Sequence, residues 1–293
     1  MSTAAITAAE DWELDFYSRP ILEADGKKRW ELLITSTPTP TEPVCFRFEK
    51  RCPAGDVNST WLTSALREAL TAANEQGWLQ PKRLRTWRSA MRTMVQRAAS
   101  ELGLEMIPSR RTYALLDWLE ERERSVYPLD EGFMAGPIAP PPAPIATPPL
   151  PLPEAVRGDA WCWAALPLGS LLEAGEWPMG FNDLLPIPEG MDPELPVPGL
   201  RLFSQTRALA LAGWLGGLEP VRLRVSNQQL VLDAGQDDSW LVSDLGQMEA
   251  NQCREALMDS VSRGRGLQFI SVQTTPDSQR FDGFWMLRDR PEI

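Results

Sequence analysis

Three early apolar-rich stretches, 12–21 (WELDFYSRPI), 29–36 (RWELLITS) and 44–51 (VCFRFEKR), read as strands, the last with Val44, Phe46 and Phe48 alternating with other positions as a half-buried strand requires. Asp25-Gly26 lies between the first two, a dipeptide suited to a tight hairpin, so the three read as an antiparallel meander. The period then lengthens. From Asn58 to Gly77, Leu62, Leu66 and Leu70 recur every four residues, with Asn58 or Ser59 placed to cap the helix and Gly77 to stop it. A short strand over 83–87, a helix over 89–102 closed by Gly103, a strand over 104–108 and a helix over 111–126 follow.

Three strands, helix, strand, helix, strand, helix is the order of a ribonuclease H-like α/β domain, in which parallel strands extend a meander and helices cover its faces. Nine prolines between Pro137 and Pro153 remove backbone donors and favour an extended spacer. The expected organisation is therefore an N-terminal domain over 1–136, a linker over 137–153 and a C-terminal domain over 154–293. In the latter, 161–168 (WCWAALPL) reads as a buried strand and the proline- and glycine-rich segment 169–199 as loops with a short helix. A helix over 205–215, strands over 221–226, 228–234 and 239–245, a helix over 249–263 and strands over 267–274 and 281–289 complete a second mixed α/β domain. Its meander-helix-strand order also allows an imperfect copy of the first architecture.

Composition narrows the chemistry. The 293 residues include no histidine, which removes the commonest general base and metal ligand. Cys45, Cys52, Cys162 and Cys253 show no C-x-x-C spacing, and reduced thiols are expected. No phosphate-cradling G-x-x-x-x-G-K-S/T or G-x-G-x-x-G motif occurs. No apolar run is long enough to span a membrane, and no cofactor is indicated. The net charge of −11 argues against a protein that is basic throughout, but it is unevenly spread: residues 1–130 hold 18 basic and 19 acidic side chains, so almost all the excess acid lies beyond them.

Within the first half, residues 82–111 carry eight cations (Lys82, Arg83, Arg85, Arg88, Arg92, Arg97, Arg110 and Arg111) against Glu101 and Glu105 alone. Guanidinium groups grip phosphate and aromatic faces stack on unpaired bases, so Lys82, Arg83, Arg85, Trp87, Arg88, Arg92, Arg110 and Arg111 form a candidate surface for single-stranded RNA. Arg19, Lys27 and Lys28 are candidate additional contacts, with the hairpin cations Lys27, Lys28 and Arg29 expected in solvent. The bland alternative is a solvated basic face. Trp12, Trp30, Trp161, Trp163 and Trp285 read as core; Trp61, Trp78, Trp87, Trp177 and Trp240 read as reaching the surface. Asp15, Glu68 and Asp117 sit near the order expected of the metal-binding carboxylates of a nuclease, but arginines occupy the strand where a fourth should stand, which leaves nuclease activity as an outlier.

Five separated blocks carry a family resemblance: 12–33 (WELDFYSRPILEADGKKRWELL), 107–128, 198–220, 239–245 and 283–291. Together they span nearly the whole chain, which resembles the Tab/Atab-type RNA-binding family of chloroplasts and cyanobacteria. The resemblance implies a non-catalytic RNA-binding factor, with no established catalytic residues, that activates translation of photosystem reaction-centre messages by binding their 5′ leaders. The short segment before Trp12 leaves no room for a transit peptide, so a cyanobacterial cytoplasmic location is expected, with the chloroplast stroma for plant relatives. The acidic second half lies outside this reading; it fits a scaffold that binds a protein partner in photosystem assembly, which stands as the alternative function.

Overall fold

A computed structural model describes residues 11–135 and 148–290, which fall into two compact α/β units divided between these two spans. In the first unit, β1 (Asp11–Leu22), β2 (Lys28–Ser36) and β3 (Arg47–Cys52) form the expected meander. Gly26 turns the first hairpin at φ +77°, a conformation a side chain would strain, and the Asp25 carboxylate accepts the Lys27 amide at 3.0 Å. β4 (Arg83–Thr86) pairs parallel with β1, and β5 (Glu105–Pro108) pairs parallel with β4, giving the strand order β3-β2-β1-β4-β5.

Three helices connect and cover this sheet. α1 (Ser59–Glu75) starts where Asn58 accepts the Trp61 amide at 2.9 Å and buries Leu62, Ala65, Leu66, Ala69 and Ala73 along one stripe. α2 (Arg92–Glu101) adds Val95, Ala98 and Ala99, and both helices pack on Trp12, Leu14 and Phe16. α3 (Tyr113–Ser125) lies over the other face, where Leu115, Trp118 and Leu119 meet Ile21, Leu33 and Tyr127. Because side chains alternate along a strand, the odd-numbered residues of β1 face a different layer from its apolar even-numbered ones.

The second unit is built from two sheets. One has the order β10-β11-β12-β6, from β6 (Leu150–Pro151), β10 (Pro220–Ser226), β11 (Gln229–Ala234) and β12 (Asp238–Asp244). The other runs β7-β9-β13-β14-β8, from β7 (Ala160–Pro167), β8 (Met179–Asp183), β9 (Pro196–Phe203), β13 (Leu267–Gln273) and β14 (Phe281–Arg288). The short α4 (Leu168–Leu172) follows β7, whereas α5 (Ala208–Leu218) and α6 (Gln247–Arg263) share a core with Leu200, Leu223, Ile270 and Trp285.

Several expectations for this half are corrected. The imperfect copy of the first unit is not formed: the meander β10–β12 closes against β6, and β13 instead joins β9 and β14 in the other sheet. Segment 161–168 is an edge strand with half-exposed side chains rather than a buried one. β9, second in that sheet between β7 and the central β13, opens within the segment expected to be loop. Its Pro196 and Pro198 are tolerated because β13 begins to pair only at Gly199, so neither proline lacks a donor on that side. β8 was likewise read as loop. Of the proline-rich stretch, 137–147 lies outside the described residues, while Leu150 and Pro151 pair with Trp240 and Leu241. Trp12 and Trp285 are core as expected, but Trp30, Trp161 and Trp163 are half-buried. All four cysteines are free thiols. No helix among the described residues is long and apolar enough to cross a membrane.

Candidate nucleic-acid interface

The basic segment meets an acidic strand. Asp11, Glu13 and Asp15 project from alternate positions of β1, and the parallel register sets Asp11 beside Arg83 and Glu13 beside Arg85. Asp11 takes the Arg83 Nε at 2.5 Å and its Nη2 at 3.0 Å, and the buried Arg85 Nη1 at 2.6 Å. Asp15 is fully buried and divides its oxygens between two guanidinium groups: Arg88 Nε lies 2.6 Å from Oδ1 and Arg19 Nη1 2.8 Å from Oδ2. Burial pushes the Asp15 carboxyl up, but the two cations outweigh it and hold the group below the usual carboxylate range.

Arg19 continues the network to Glu31, 3.4 Å away, and Glu31 accepts the Tyr127 hydroxyl at 2.8 Å and faces Arg122. Arg122 also pairs with Glu49. Burial drives the Tyr127 phenol above its ordinary range. Glu13 accepts the Leu115 amide at 2.8 Å in the first turn of α3, and burial raises its carboxyl to about 7, partly offset by that amide and by Arg85.

The candidate residues thus separate by place. Arg85, Arg19 and Arg111 are buried, the last with its guanidinium 5.5 Å from the Tyr113 ring centroid. Arg83 keeps 39% of its side chain exposed despite its pairing with Asp11. Lys82 and Arg92 are exposed, and Trp87, Arg88 and Arg110 are half-buried. Lys27 and Lys28 are exposed at the hairpin; Arg29, expected in solvent with them, is buried between Glu23 at 2.5 Å and Asp130 at 2.6 Å. Lys82 and Arg83 precede and open β4, whereas Trp87, Arg88 and Arg92 follow it. Arg110 and Arg111 follow β5, whose register sets Pro108 beside Thr86, so they belong to the same end of the sheet as Trp87.

The carboxylates of the nuclease reading do not assemble. Asp15 is engaged by arginines, and Glu68 sits on the exposed side of α1 with Lys50 Nζ 2.5 Å away. Among the described residues no group of three or more acidic or thiol side chains could hold a metal ion. Sequence reasoning missed the roles of Asp11, Glu13 and Tyr17. The signal was present as matched alternation, acids at 11, 13 and 15 against arginines at 83 and 85, and needed only the β1–β4 register to become a pairing.

Two mixed α/β units, the first with a cationic segment half absorbed by its own sheet, define the class of protein. The chain belongs to the RNA-binding protein Tab2/Atab2 family: the model of that family's N-terminal region matches residues 11–122 and that of its C-terminal domain residues 140–288. It is similar to the chloroplastic TAB2 homolog of Zea mays, 36% identical with 96% of this chain and 72% of that protein covered. The Arabidopsis thaliana homolog, also chloroplastic, is 31% identical over 96% of this chain and 75% of its own length. Among solved structures, the cryoEM structure of a simian T-cell lymphotropic virus intasome in complex with the PP2A regulatory subunit B56 gamma matches at 12% identity over 80% of this chain and 78% of that one. The TM-score of 0.25 is too low to bear on the fold.

Proposed function

We propose that the protein is a non-catalytic factor that binds single-stranded RNA through its first unit and supports translation of photosystem reaction-centre messages. The observation that carries the RNA surface is the exposure of Arg92 beyond the half-buried Trp87 at one end of β4 and of Lys82 and part of Arg83 at the other, while Arg85 and Arg88 between them are held by Asp11 and Asp15. Membership of an RNA-binding family and similarity to two chloroplastic homologs support the photosynthetic context, with the chloroplast stroma or the cyanobacterial cytoplasm as the place of action. The ribonuclease H-like reading of the first unit belongs to the same proposal, supported by the meander extended through two parallel strands.

Crosslinking and sequencing of RNA from cells expressing the tagged protein tests this. Enrichment of reaction-centre message leaders, lost in a Lys82→Ala/Arg92→Ala variant, is the expected result. Background recovery from both forms removes the RNA reading from this surface.

The second unit supports a second reading, a scaffold for a basic protein partner. Residues 148–290 carry 19 acidic and 11 basic side chains, and several of those arginines are spent internally. Arg222 and Arg224 reach Asp233 at 2.9 and 3.0 Å, and Arg222 also reaches Asp289 at 2.9 Å. Recovery of a protein partner, with no RNA, from undigested lysate favours this reading.

A further inference from the structure

The sharpest unexplained arrangement in the first unit is the surrounding of Arg88. Its guanidinium carbon lies 4.0 Å from the centre of the Tyr17 ring and 3.9 Å from that of Trp87, while its Nε is fixed by Asp15 at 2.6 Å. Only 14% of the side chain is exposed. A planar cation held in this way is poorly placed to wrap a phosphate; its geometry suits it to orient two π faces. Tyr17 and Trp87 are both half-buried residues, and Tyr17 also meets the Trp30 ring edge-on at a centroid distance of 5.7 Å.

The position matters as much as the rings. The β1–β4 pairing stops at Glu13 and Arg85, and β1 continues beyond it, leaving the Trp87–Arg88 turn beside the stretch of β1 that carries Tyr17. This is the carboxyl end of the parallel strands β4 and β5, the end at which sheets of this type accept ligands. The exposed Arg92 begins α2 four residues after Arg88, and Arg110 follows β5 at the same end. Aromatic faces flanked by cations are the combination that takes an unpaired nucleobase together with its phosphates.

The geometry points to Tyr17 and Trp87 as a stacking platform for a nucleobase of single-stranded RNA, with Arg88 as the positioning residue that sets the two rings. This rests on the RNA-binding reading above and specifies where a base, rather than the phosphate backbone, is met. Arg88, included among the expected phosphate contacts, acts instead through the rings, and Tyr17 joins the interface.

Binding of the full chain to a random-sequence single-stranded RNA of about 12 nucleotides, against a matched abasic ribose-phosphate strand, separates the two contributions. The expected result is an approximately tenfold preference of the wild type for the strand with bases, as one stacked base provides. That preference disappears in Tyr17→Ala and Trp87→Ala and persists in Tyr17→Phe and Trp87→Phe, whose retained rings also guard against misfolding. Arg88→Lys, which keeps the charge but not the planar face, reduces the preference without altering the salt dependence. If the wild type prefers the RNA and all these variants keep that preference, the platform is overturned while RNA binding stands. If the wild type binds neither strand, the platform falls together with RNA binding itself.

Discussion

Glu13, on the second residue of WELD, receives the backbone N–H of Leu115 at 2.8 Å although 102 residues separate them. A central strand thereby caps the first turn of α3, whose own N-cap residue Thr112 supplies no side-chain bond. Two of the stretches that carry the family resemblance, 12–33 and 107–128, meet at this contact.

The cap has a pH signature. Burial raises the Glu13 carboxyl to about 7 from an ordinary 4.5, so the proton is held more tightly in the folded chain. Below pH 4.5 both states carry it and its contribution is complete; as pH rises to 7 the unfolded chain releases it first, and about 3 kcal/mol of stability is lost. Glu13→Gln keeps an acceptor for Leu115 and has no proton to release. Its stability in urea should therefore fall less than that of the wild type over this range, by about 3 kcal/mol. Parallel pH profiles for the two proteins would contradict the buried acid. Asp15 does not interfere, because a carboxyl held low loses its contribution only as pH falls below its ordinary 3.8.

Asp15→Asn tests the centre of the network. It leaves Arg19 and Arg88 facing a neutral amide inside the protein, and breaking a buried pair on one side costs about 3–5 kcal/mol. Glu68→Gln, whose partner Lys50 lies near the surface, should change stability by less than about 1 kcal/mol. Equal losses measured by chemical denaturation would mean that burial does not decide the weight of these pairs.

The first unit was largely legible from sequence because its elements have their own signals: the alternating start of β1, the apolar run of β2, the four-residue recurrence of Leu62, Leu66 and Leu70, and glycines at 26, 77 and 103. The second unit was less so. β9 opens with Pro196 and Pro198, which look like loop residues unless the one-sided pairing of that end is known. The candidate site was legible as charge and not as exposure. Sequence alone shows that 82–111 is basic; which cations remain at the surface depends on the register that sets β1 carboxylates against β4 arginines.

Gly199→Ala probes β9. A Cβ there would run into the Phe269 ring, and that ring is stacked on Phe284 at a centroid distance of 5.5 Å and cannot swing aside without disturbing it. Overpacking of this kind costs about 1–3 kcal/mol. Amides of β9 and β13 should exchange faster with solvent in the variant, while those of β1 and β2 in the first unit stay protected. Unchanged exchange in β13 would show that the Phe269 contact is not confining.

The division of the basic segment into exposed and internal members makes the last prediction. Each phosphate contact on single-stranded nucleic acid contributes about 0.7 to the slope of log affinity against log salt. Lys82→Ala and Arg92→Ala, both at exposed positions, should each flatten that slope by about this amount and leave the melting temperature nearly unchanged. Arg85→Ala should do the reverse. Its guanidinium is buried and 2.6 Å from Asp11, so its loss leaves that carboxylate with the partly exposed Arg83 alone and lowers stability by about 3 kcal/mol, with no flattening in whatever protein remains folded. Titration of RNA at several salt concentrations, paired with thermal melts of each variant, reads both axes at once. A flattened slope for folded Arg85→Ala, or an unchanged one for Lys82→Ala and Arg92→Ala, would mean that RNA meets this unit on a different face.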